Sequence, residues 1–334
     1  MSGLARWVRL SFRLQRWEVL AAIVGVGVLA GLMLWFAWQL RMLAAGQPGC
    51  SDPNAYSLGC EAFAQRFQDL SGWAQGLLYL SWGAPFGMGL VLGVPIVARE
   101  LEGRTAGMAW TLSRSRVGWL VARFAFATVV LVALLTVVVV CSGTLAAAIV
   151  PNLHLERDFT WIGRRDWLIV ARGVAALGIG VLVGAVVGRQ LPGLLAAAFA
   201  SVLVFTGVSL AMDRWNETLA VVIDPYASPE GAVDGSLGLG GGVELPSGEL
   251  VSYAEITSDE QYQDETGAIY TRWDDATGQA DPASFVGWDR VRIIPGRQYP
   301  LVLARDAGVT LGVGALAAGG GVVAVRRRLQ HQAA

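Results

Sequence analysis

Six long apolar runs constrain this sequence more than any other feature. A helix needs roughly 20 mostly apolar residues to cross about 30 Å of hydrocarbon. Six segments meet that need, with predicted bounds of Trp17–Leu40, Leu77–Ala98, Trp119–Cys141, Trp167–Val187, Leu191–Met212 and Leu301–Val325. Only 15% of the residues are charged, whereas about a quarter are charged in soluble domains. We therefore predict an all-α polytopic membrane protein with six transmembrane helices.

The distribution of charge predicts the orientation of these helices. The sequence has no Lys, and its Arg residues concentrate before span one, between spans two and three, between spans four and five, and after span six. Six spans place these segments on one side, which the positive-inside rule identifies as the cytoplasm. Residues 213–300 instead hold 16 Asp or Glu and five Arg, a net charge of −11. We predict cytoplasmic termini and an acidic extracytoplasmic insertion between helices 5 and 6.

The segment before the first span has two interpretations. Its basic residues repeat every three or four positions and so share one helical face: Arg6, Arg9, Arg13 and Arg16. This pattern indicates an interfacial amphipathic helix, while the alternative is a topology signal without defined structure. A secretory signal peptide would have a shorter apolar region, followed by a small-x-small cleavage site. No clear site of that kind follows Leu40. We therefore predict a retained span.

These inferences give a predicted organisation of the whole chain. Its parts are a cytoplasmic interfacial helix over 1–16, transmembrane helices 1 to 5 over 17–212 with a cytoplasmic loop over 99–117, an acidic extracytoplasmic domain over 213–300, helix 6 over 301–325 and a cytoplasmic tail over 326–334.

The absence of Lys excludes one large class of activity for this sequence. A phosphate-binding P-loop uses a Lys to reach the β- and γ-phosphates, and none is present. We therefore expect any ATP hydrolysis to occur in a separate subunit. Neither a zinc-protease motif nor a nucleophile elbow is present. His154 and His331 are predicted on opposite sides of the membrane, so they cannot share a metal site within one chain. We expect no metal site, no enzyme activity and no nucleic-acid binding.

The loop after the second span has an unusual charge pattern. Arg99, Glu100, Glu102 and Arg104 are spaced for local ion pairs on a short polar helix. The two Arg residues near the next span, Arg114 and Arg116, are explained by positive-inside bias and snorkelling. Acidic residues where a span leaves the inner face work against that bias, so the Arg-Glu-x-Glu-Gly-x-Thr run indicates a specific role.

This loop resembles a known family. The matching residues are Pro95, Ala98, Arg99, Glu100, Glu102, Gly103, Thr105, Ala109, Trp110, Thr111, Ser113, Arg116 and Trp119. Together with the segment Ile294–Leu301, which carries a Pro-x-x-x-Tyr-Pro-Leu element, they resemble the permease subunits of type-2 (ABC-2) ABC transporters of GC-rich bacteria. The sequence departs from that pattern at Val302 and Leu303, where many relatives have Gln and Glu.

The resemblance implies a function and its partners. Such a permease is one half of an ATP-driven exporter in the bacterial cell membrane, and it works with a second permease and a separate ATP-binding subunit that holds ATP and Mg. Residues that would couple to that subunit are Arg99, Glu100, Glu102, Arg104, Thr105 and Trp110. An amphipathic substrate, such as a drug, lipid or peptide, follows from analogy alone. The alternative is a non-transporting scaffold or sensor that displays the acidic outer domain.

Three further features are candidates for structure or function. Gly pairs at four-residue spacing, Gly83/Gly87, Gly89/Gly93 and Gly180/Gly184/Gly188, predict close helix packing. Cys50 and Cys60 lie in a predicted outer loop and are expected to form a disulfide, with two free thiols as the alternative. Charges inside predicted spans are candidates for a translocation path, although each can also snorkel to the outer surface: Arg172, Arg305 and Asp306.

The outer domain gives only local signals. The segment around Pro246-Ser247-Gly248 alternates apolar and polar residues, which predicts a short β-hairpin. Residues 268–273 resemble another strand. The run from Gly238 to Gly242 is expected to be a flexible linker or loop.

Overall fold

The protein is described by a computed structural model that covers residues 15–46, 50, 60–103, 116–150, 154, 156–225, 235–251, 262–263, 268–270, 273–274, 279–280 and 284–330. These residues fall into two compact units. The first consists of the apolar helices, and the second is formed by residues 154–160 and 211–302.

Seven α-helices are defined in the described part of the chain. They are α1 (Arg16–Gly46), α2 (Glu61–Gly93), α3 (Pro95–Glu102), α4 (Arg116–Ile149), α5 (Leu168–Val187), α6 (Gln190–Asn216) and α7 (Tyr299–Gln330). Six of these helices, all except the short α3, are long and apolar enough to cross a membrane. The predicted membrane class and the six helices are confirmed.

The second helix is much longer than its predicted span. It begins at Glu61 rather than Leu77 and has 33 residues, so its length is about 50 Å against roughly 30 Å of hydrocarbon. Its first turns carry charged residues, so they are not part of the continuous apolar run from which the span was predicted. They still bury one stripe at four-residue spacing, and Phe63 and Phe67 stack with their ring centroids 5.9 Å apart. The early start is thus an amphipathic extension of an apolar span.

Helix α3 follows α2 directly. Val94 joins the two with helical backbone angles, and Pro95 occupies the first position of α3. Proline suits this position because it has no backbone N–H to donate to the preceding turn. The predicted short polar helix therefore exists, and it begins at the end of the second span.

Close packing between α2 and α5 depends on the predicted glycines. A Cβ built on Gly89 would lie 2.6 Å from the Gly173 carbonyl oxygen, and one on Gly93 would lie 2.6 Å from the Leu177 carbonyl oxygen. By contrast, Gly83 has no atom within 4 Å of its Cβ position, and neither has Gly87. Only one of the two predicted pairs on this helix therefore makes a close helix contact.

Replacing Gly93 with Ala is expected to destabilise the helical unit, because the added methyl group collides with the α5 backbone. Overpacking of this kind costs about 1–3 kcal/mol. The matched control is Gly87→Ala in the same helix, where the methyl group meets open space. Thermal unfolding in detergent would show a lower midpoint for Gly93→Ala than for Gly87→Ala. Equal midpoints would contradict the packing described here.

The second unit contains most of the β-structure. Its strands are β1 (Val221–Ile223), β2 (Leu237–Glu244), β3 (Leu250–Val251), β4 (Tyr262–Gln263), β5 (Ala268–Tyr270), β6 (Trp273–Asp274), β7 (Gln279–Ala280) and β8 (Phe285–Ile294). Six form an antiparallel sheet in the order β3-β2-β8-β5-β4, with β1 also paired to β8, and β6 pairs with β7. The long strand β8 is therefore the centre of the sheet.

The predicted hairpin is present, whereas the predicted glycine linker is wrong. Strands β2 and β3 pair around a turn in which the Gly248 N–H donates to the Leu245 carbonyl, and Gly248 has a φ of +83°. Gly238 to Gly242 lie inside β2 and pair with β8. Gly242 packs against the Val251 carbonyl with no room for a side chain. Close strand packing therefore explains a glycine that the sequence analysis assigned to flexibility.

Arg290 joins three strands of this sheet. Its Nε donates to Glu244 Oε2 at 2.6 Å, and its Nη1 donates to Asp224 Oδ2 at 2.7 Å. Glu244 ends β2 and Asp224 follows β1, so one guanidinium bridges two of the three strands that pair with β8. Part of the acidic charge of this unit is therefore neutralised internally.

Candidate functional site

A buried ion pair lies where the chain leaves the second span. Glu100 Oε1 accepts a hydrogen bond from Arg123 Nη2 at 2.9 Å, and the two side chains are only 12% and 7% exposed. The Arg123 guanidinium also lies over the Trp119 ring, 4.4 Å from its centroid, and donates to the Ile96 carbonyl at 3.4 Å. The arginine is therefore held by an anion, a π-face and a backbone oxygen, so this contact fixes α3 against α4.

Arg123 was missed by the sequence analysis. Its signal was available, because it lies inside a predicted span, where ionisable residues are rare and functional by default. Glu100 has the opposite charge and was itself singled out. The pairing of the two, however, depends on how α3 folds back beside α4, and no sequence spacing encodes that.

Two further contacts connect the same end of α3 to other helices. Arg99 Nη1 lies 3.3 Å from Glu18 Oε1 of α1. Glu102 Oε2 accepts a hydrogen bond at 3.0 Å from the backbone N–H of Gln190, the first residue of α6. A carboxylate at this position satisfies an otherwise unpaired donor and interacts favourably with the helix dipole.

We call Arg99–Glu102 the α3 anchor. In four residues it contacts α1 through Arg99, α4 through Glu100 and α6 through Glu102. Arg99 and Glu102 are exposed, while Glu100 is turned inward. The other residues predicted to couple to an ATPase, Arg104, Thr105 and Trp110, lie outside the described residues. The structure therefore gives a geometry for residues 99–103 of the predicted loop.

A second polar cluster lies before α5, in the loop that precedes Leu168. Asp166 is buried at 6% exposure and accepts hydrogen bonds from the Gly163 N–H at 2.6 Å and the Leu168 N–H at 2.9 Å. Burial raises the pKa of Asp166, and the two backbone hydrogen bonds partly offset that effect. Gly163 has a φ of +74°, which favours glycine in this turn. Asp166 thus organises the loop and the start of α5.

The predicted translocation-path charges meet this cluster in part. Arg172 Nη1 donates to the Gly163 carbonyl at 2.9 Å, and the guanidinium interacts electrostatically with Asp166 and Asp306. The half-buried Arg172 is therefore hydrogen-bonded to a loop of the protein. Snorkelling to the membrane surface would not require that contact. Arg305 is also half-buried, beside Asp306 near the start of α7. Asp306 is near enough to Arg172 for an electrostatic interaction, which the sequence did not predict.

The same loop is attached to α2. Ser81 Oγ donates to the Arg164 carbonyl at 2.6 Å, and the Arg164 guanidinium lies 3.9 Å from the Tyr79 ring centroid. Ser81 is fully buried. The loop therefore connects α2 to the start of α5 through backbone and cation–π contacts.

The structure joins Cys50 and Cys60 in a disulfide, with their Cα atoms 5.6 Å apart. This is the pairing favoured over two free thiols. Cys141 is a free, buried cysteine in α4. The bond links the segment that follows α1 to the residue that precedes α2.

Thiol labelling of intact cells tests this bond and the side on which it lies. A membrane-impermeant maleimide is expected to label Cys50 and Cys60 only after reduction, because both thiols are otherwise in the bond. A Cys141→Ala background removes the buried thiol from the readout. Labelling of Cys50 without reductant would contradict the bond. Failure to label either cysteine after reduction would contradict their external location.

Comparison with known protein families identifies the helical unit. A family model described as "ABC-2 membrane transporter related" matches residues 22–215, which include α2 to α5, the α3 anchor and most of α1 and α6. The comparisons with curated proteins and with solved structures find no match. The family match covers more than half of the sequence and agrees with the six membrane-length helices. This chain belongs to the ABC-2-related family of membrane transporter proteins.

Proposed function

We propose that this chain is the membrane-embedded half of an ATP-driven exporter in a bacterial plasma membrane, with cytoplasmic termini. It works with a separate ATP-binding subunit, which holds ATP and Mg, and with a second permease, identical or related. Family membership supports a transporter component. The direction of transport, the docking loop and the partners are parts of the proposal.

The α3 anchor is the observation that carries this proposal. Residues 104–115 follow it after Gly103, and they include the predicted docking residue Trp110. A force applied to that loop reaches α1, α4 and α6 through Arg99, Glu100 and Glu102. Because these contacts attach to three different spans, a displacement of α3 would tilt several spans together. A loop that only connected two spans would need no such attachment.

The residues of the anchor then have different roles. Glu100 is a positioning residue, since it is buried against Arg123 and turned away from solvent. Arg99 and Glu102 are exposed, so they can meet a partner surface while keeping their contacts within the chain. Trp110 would supply an aromatic anchor of the kind that dominates binding energy in protein interfaces.

The cluster before α5 supplies the proposed charges on the translocation path. Arg172, Arg305 and Asp306 lie near the starts of α5 and α7, which the proposed topology places towards the outer surface. Arg172 and Asp306 have opposite charges and are near enough to interact electrostatically. We propose that this pair stabilises one state of the outer end of the path and separates in the other.

Site-directed photo-crosslinking tests the proposed docking loop. Trp110→p-benzoylphenylalanine, irradiated in native membranes, is expected to crosslink to a protein that contains a P-loop. The matched control is the same residue at position 297, where Arg297 is exposed in the second unit and is proposed to lie outside the cell. No ATP-binding protein captured from position 110, with the chain folded in the membrane, would contradict the proposal. Equal capture from both positions would contradict it as well.

A further inference from the structure

An apolar cavity lies between α4, α5 and α7. Its lining includes Leu120 and Phe124 of α4, Val181 of α5, and Gly319 and Val322 of α7, and its volume is about 140 Å³. All the lining residues are apolar. A lining of this kind offers water no hydrogen-bond partner and suits an apolar ligand. The cavity is therefore suited to hydrocarbon rather than to a polar solute.

The position of the cavity along each helix places it in one leaflet. Val322 lies four residues before Arg326, and Leu120 lies four residues after the start of α4 at Arg116, which is about 6 Å of rise in each case. Val181 lies seven residues before Gly188, the C-cap residue of α5, or about 10 Å. Half of the hydrocarbon layer is about 15 Å thick. All three helices therefore place the cavity in the leaflet that borders Arg326.

Positive charge lies directly beyond the cavity on the same face of α7. Arg326 is four residues after Val322 and seven after Gly319, so the three positions share a helical face. Arg326 and Arg327 are both exposed. Arginine binds phosphate oxygens through paired N–H donors. A phosphate at the membrane surface would thus lie within one helical turn of the cavity.

The cavity is open towards lipid rather than enclosed. Val121, which also lines it, is 51% exposed, and Gly319 is exposed. An acyl chain can therefore enter from the side while its headgroup stays at the surface near Arg326. This arrangement of apolar cavity and external cations matches an amphipathic anion.

We propose that the cavity between α4, α5 and α7 binds an acyl chain of an anionic phospholipid, whose phosphate is held by Arg326 and Arg327. The lipid comes from the leaflet that borders these residues, which is the cytoplasmic leaflet in the proposed topology. Basic residues at a membrane surface attract anionic headgroups. The site is independent of ATPase docking and of transport, so it can be tested whether or not the proposed function holds.

Gly319 provides a direct way to fill the cavity. No atom lies within 4 Å of the position of its Cβ, whereas Cβ atoms at Gly320 and Gly321 would meet Leu182 and Val181. Gly319 lines the cavity, so a Leu side chain at this position can occupy it without a collision at its Cβ atom. Gly312→Leu is the matched control, since Gly312 is exposed on the same helix with equally open surroundings and lies about 10 Å away along α7.

Native mass spectrometry of the full-length chain, with equal amounts of phosphatidylglycerol and phosphatidylcholine of identical acyl chains, tests the proposal. The wild-type chain is expected to retain phosphatidylglycerol in preference. Gly319→Leu should lose the retained lipid, because its side chain would occupy the volume that the acyl chain fills. Gly312→Leu should retain lipid like the wild type.

The headgroup part of the proposal has its own variants. Arg326→Gln with Arg327→Gln should remove the preference for phosphatidylglycerol, by about fivefold for each Arg. Arg326→Lys with Arg327→Lys keeps the charge and should keep the preference. Equal retention of both lipids by the wild type would overturn the headgroup assignment. Wild-type retention by Gly319→Leu would overturn the cavity assignment.

Discussion

Substituting Leu for Arg123 is expected to destabilise the protein much more than substituting Leu for Arg99. Removing Arg123 leaves the Glu100 carboxylate buried without its cation, and losing one partner of a buried pair costs about 3–5 kcal/mol. Arg99 is 49% exposed in its pair with Glu18, and exposed pairs contribute about 0–1 kcal/mol. The measurement is the free energy of unfolding in mixed detergent micelles for both variants.

A double variant distinguishes the contribution of this ion pair to stability from the contribution of side-chain packing. Arg123→Leu with Glu100→Leu removes both charges, and it should recover much of the stability, since a buried pair can be replaced by apolar residues at little cost. The double variant should nevertheless keep its ATPase partner, because Glu100 is turned away from the proposed docking surface. Equal destabilisation by Arg123→Leu and Arg99→Leu would contradict the burial described here. Recovery of no stability in the double variant would show that the side chains act through packing.

Reversing the charge at Glu102 and truncating Trp110 are expected to abolish binding of the ATPase subunit. Glu102 is exposed beside the proposed docking loop, and Trp110 lies in that loop. Loss of one aromatic interface anchor typically costs about 2 kcal/mol or more, or roughly a 30-fold weaker complex. Copurification of the ATP-binding subunit with Glu102→Arg and with Trp110→Ala is the measurement. Membrane insertion should be unchanged in both.

Glu102 needs a control that preserves its contact with α6. Glu102→Gln retains a side-chain oxygen that can accept the Gln190 N–H, so it should keep the start of α6 in place while removing the charge. Glu249→Arg makes the same charge reversal at an exposed position of the second unit and should have no effect on copurification. Normal recovery of the ATPase with both Glu102→Arg and Trp110→Ala would contradict the docking assignment.

The sequence was sufficient for the membrane architecture. A span is encoded by the local run of apolar residues, so five of the six predicted spans begin within a few residues of their helices. The exception is α2, whose first turns bury only one face through Phe63 and Phe67. A window that averages all faces of a helix does not detect such a segment. The predicted start at Leu77 therefore reported where the apolar run began, not where the helix began.

Contacts between helices or between strands could be predicted only where a local sequence feature, such as residue spacing, determines them. Gly89 and Gly93 share a helix face, so their close packing followed from spacing, but the openness around Gly83 depends on which helices are neighbours. The partner of Glu100 is 23 residues away in another helix. Gly242 was assigned to a linker because its strand partner, β8, comes more than 40 residues later in the chain. In each case the deciding contact is made by a residue distant in sequence.

The family match and the α3 anchor are the two observations that bear on the role of this site. The match identifies a transporter component, and the anchor shows how three spans are attached to one short helix beside the proposed docking loop. No group of His, Cys, Asp or Glu suited to a metal ion is found among the described residues.

The central claim is that a separate ATP-binding subunit works with this chain. The most direct measurement is purification of the chain from its native cells in mild detergent, followed by identification of the copurifying proteins by mass spectrometry. We predict that a P-loop protein copurifies in a stable ratio with the wild type and is lost with Trp110→Ala. A folded, intact chain that copurifies with no ATP-binding protein would contradict the claim and would favour a scaffold or sensor that displays its outer unit.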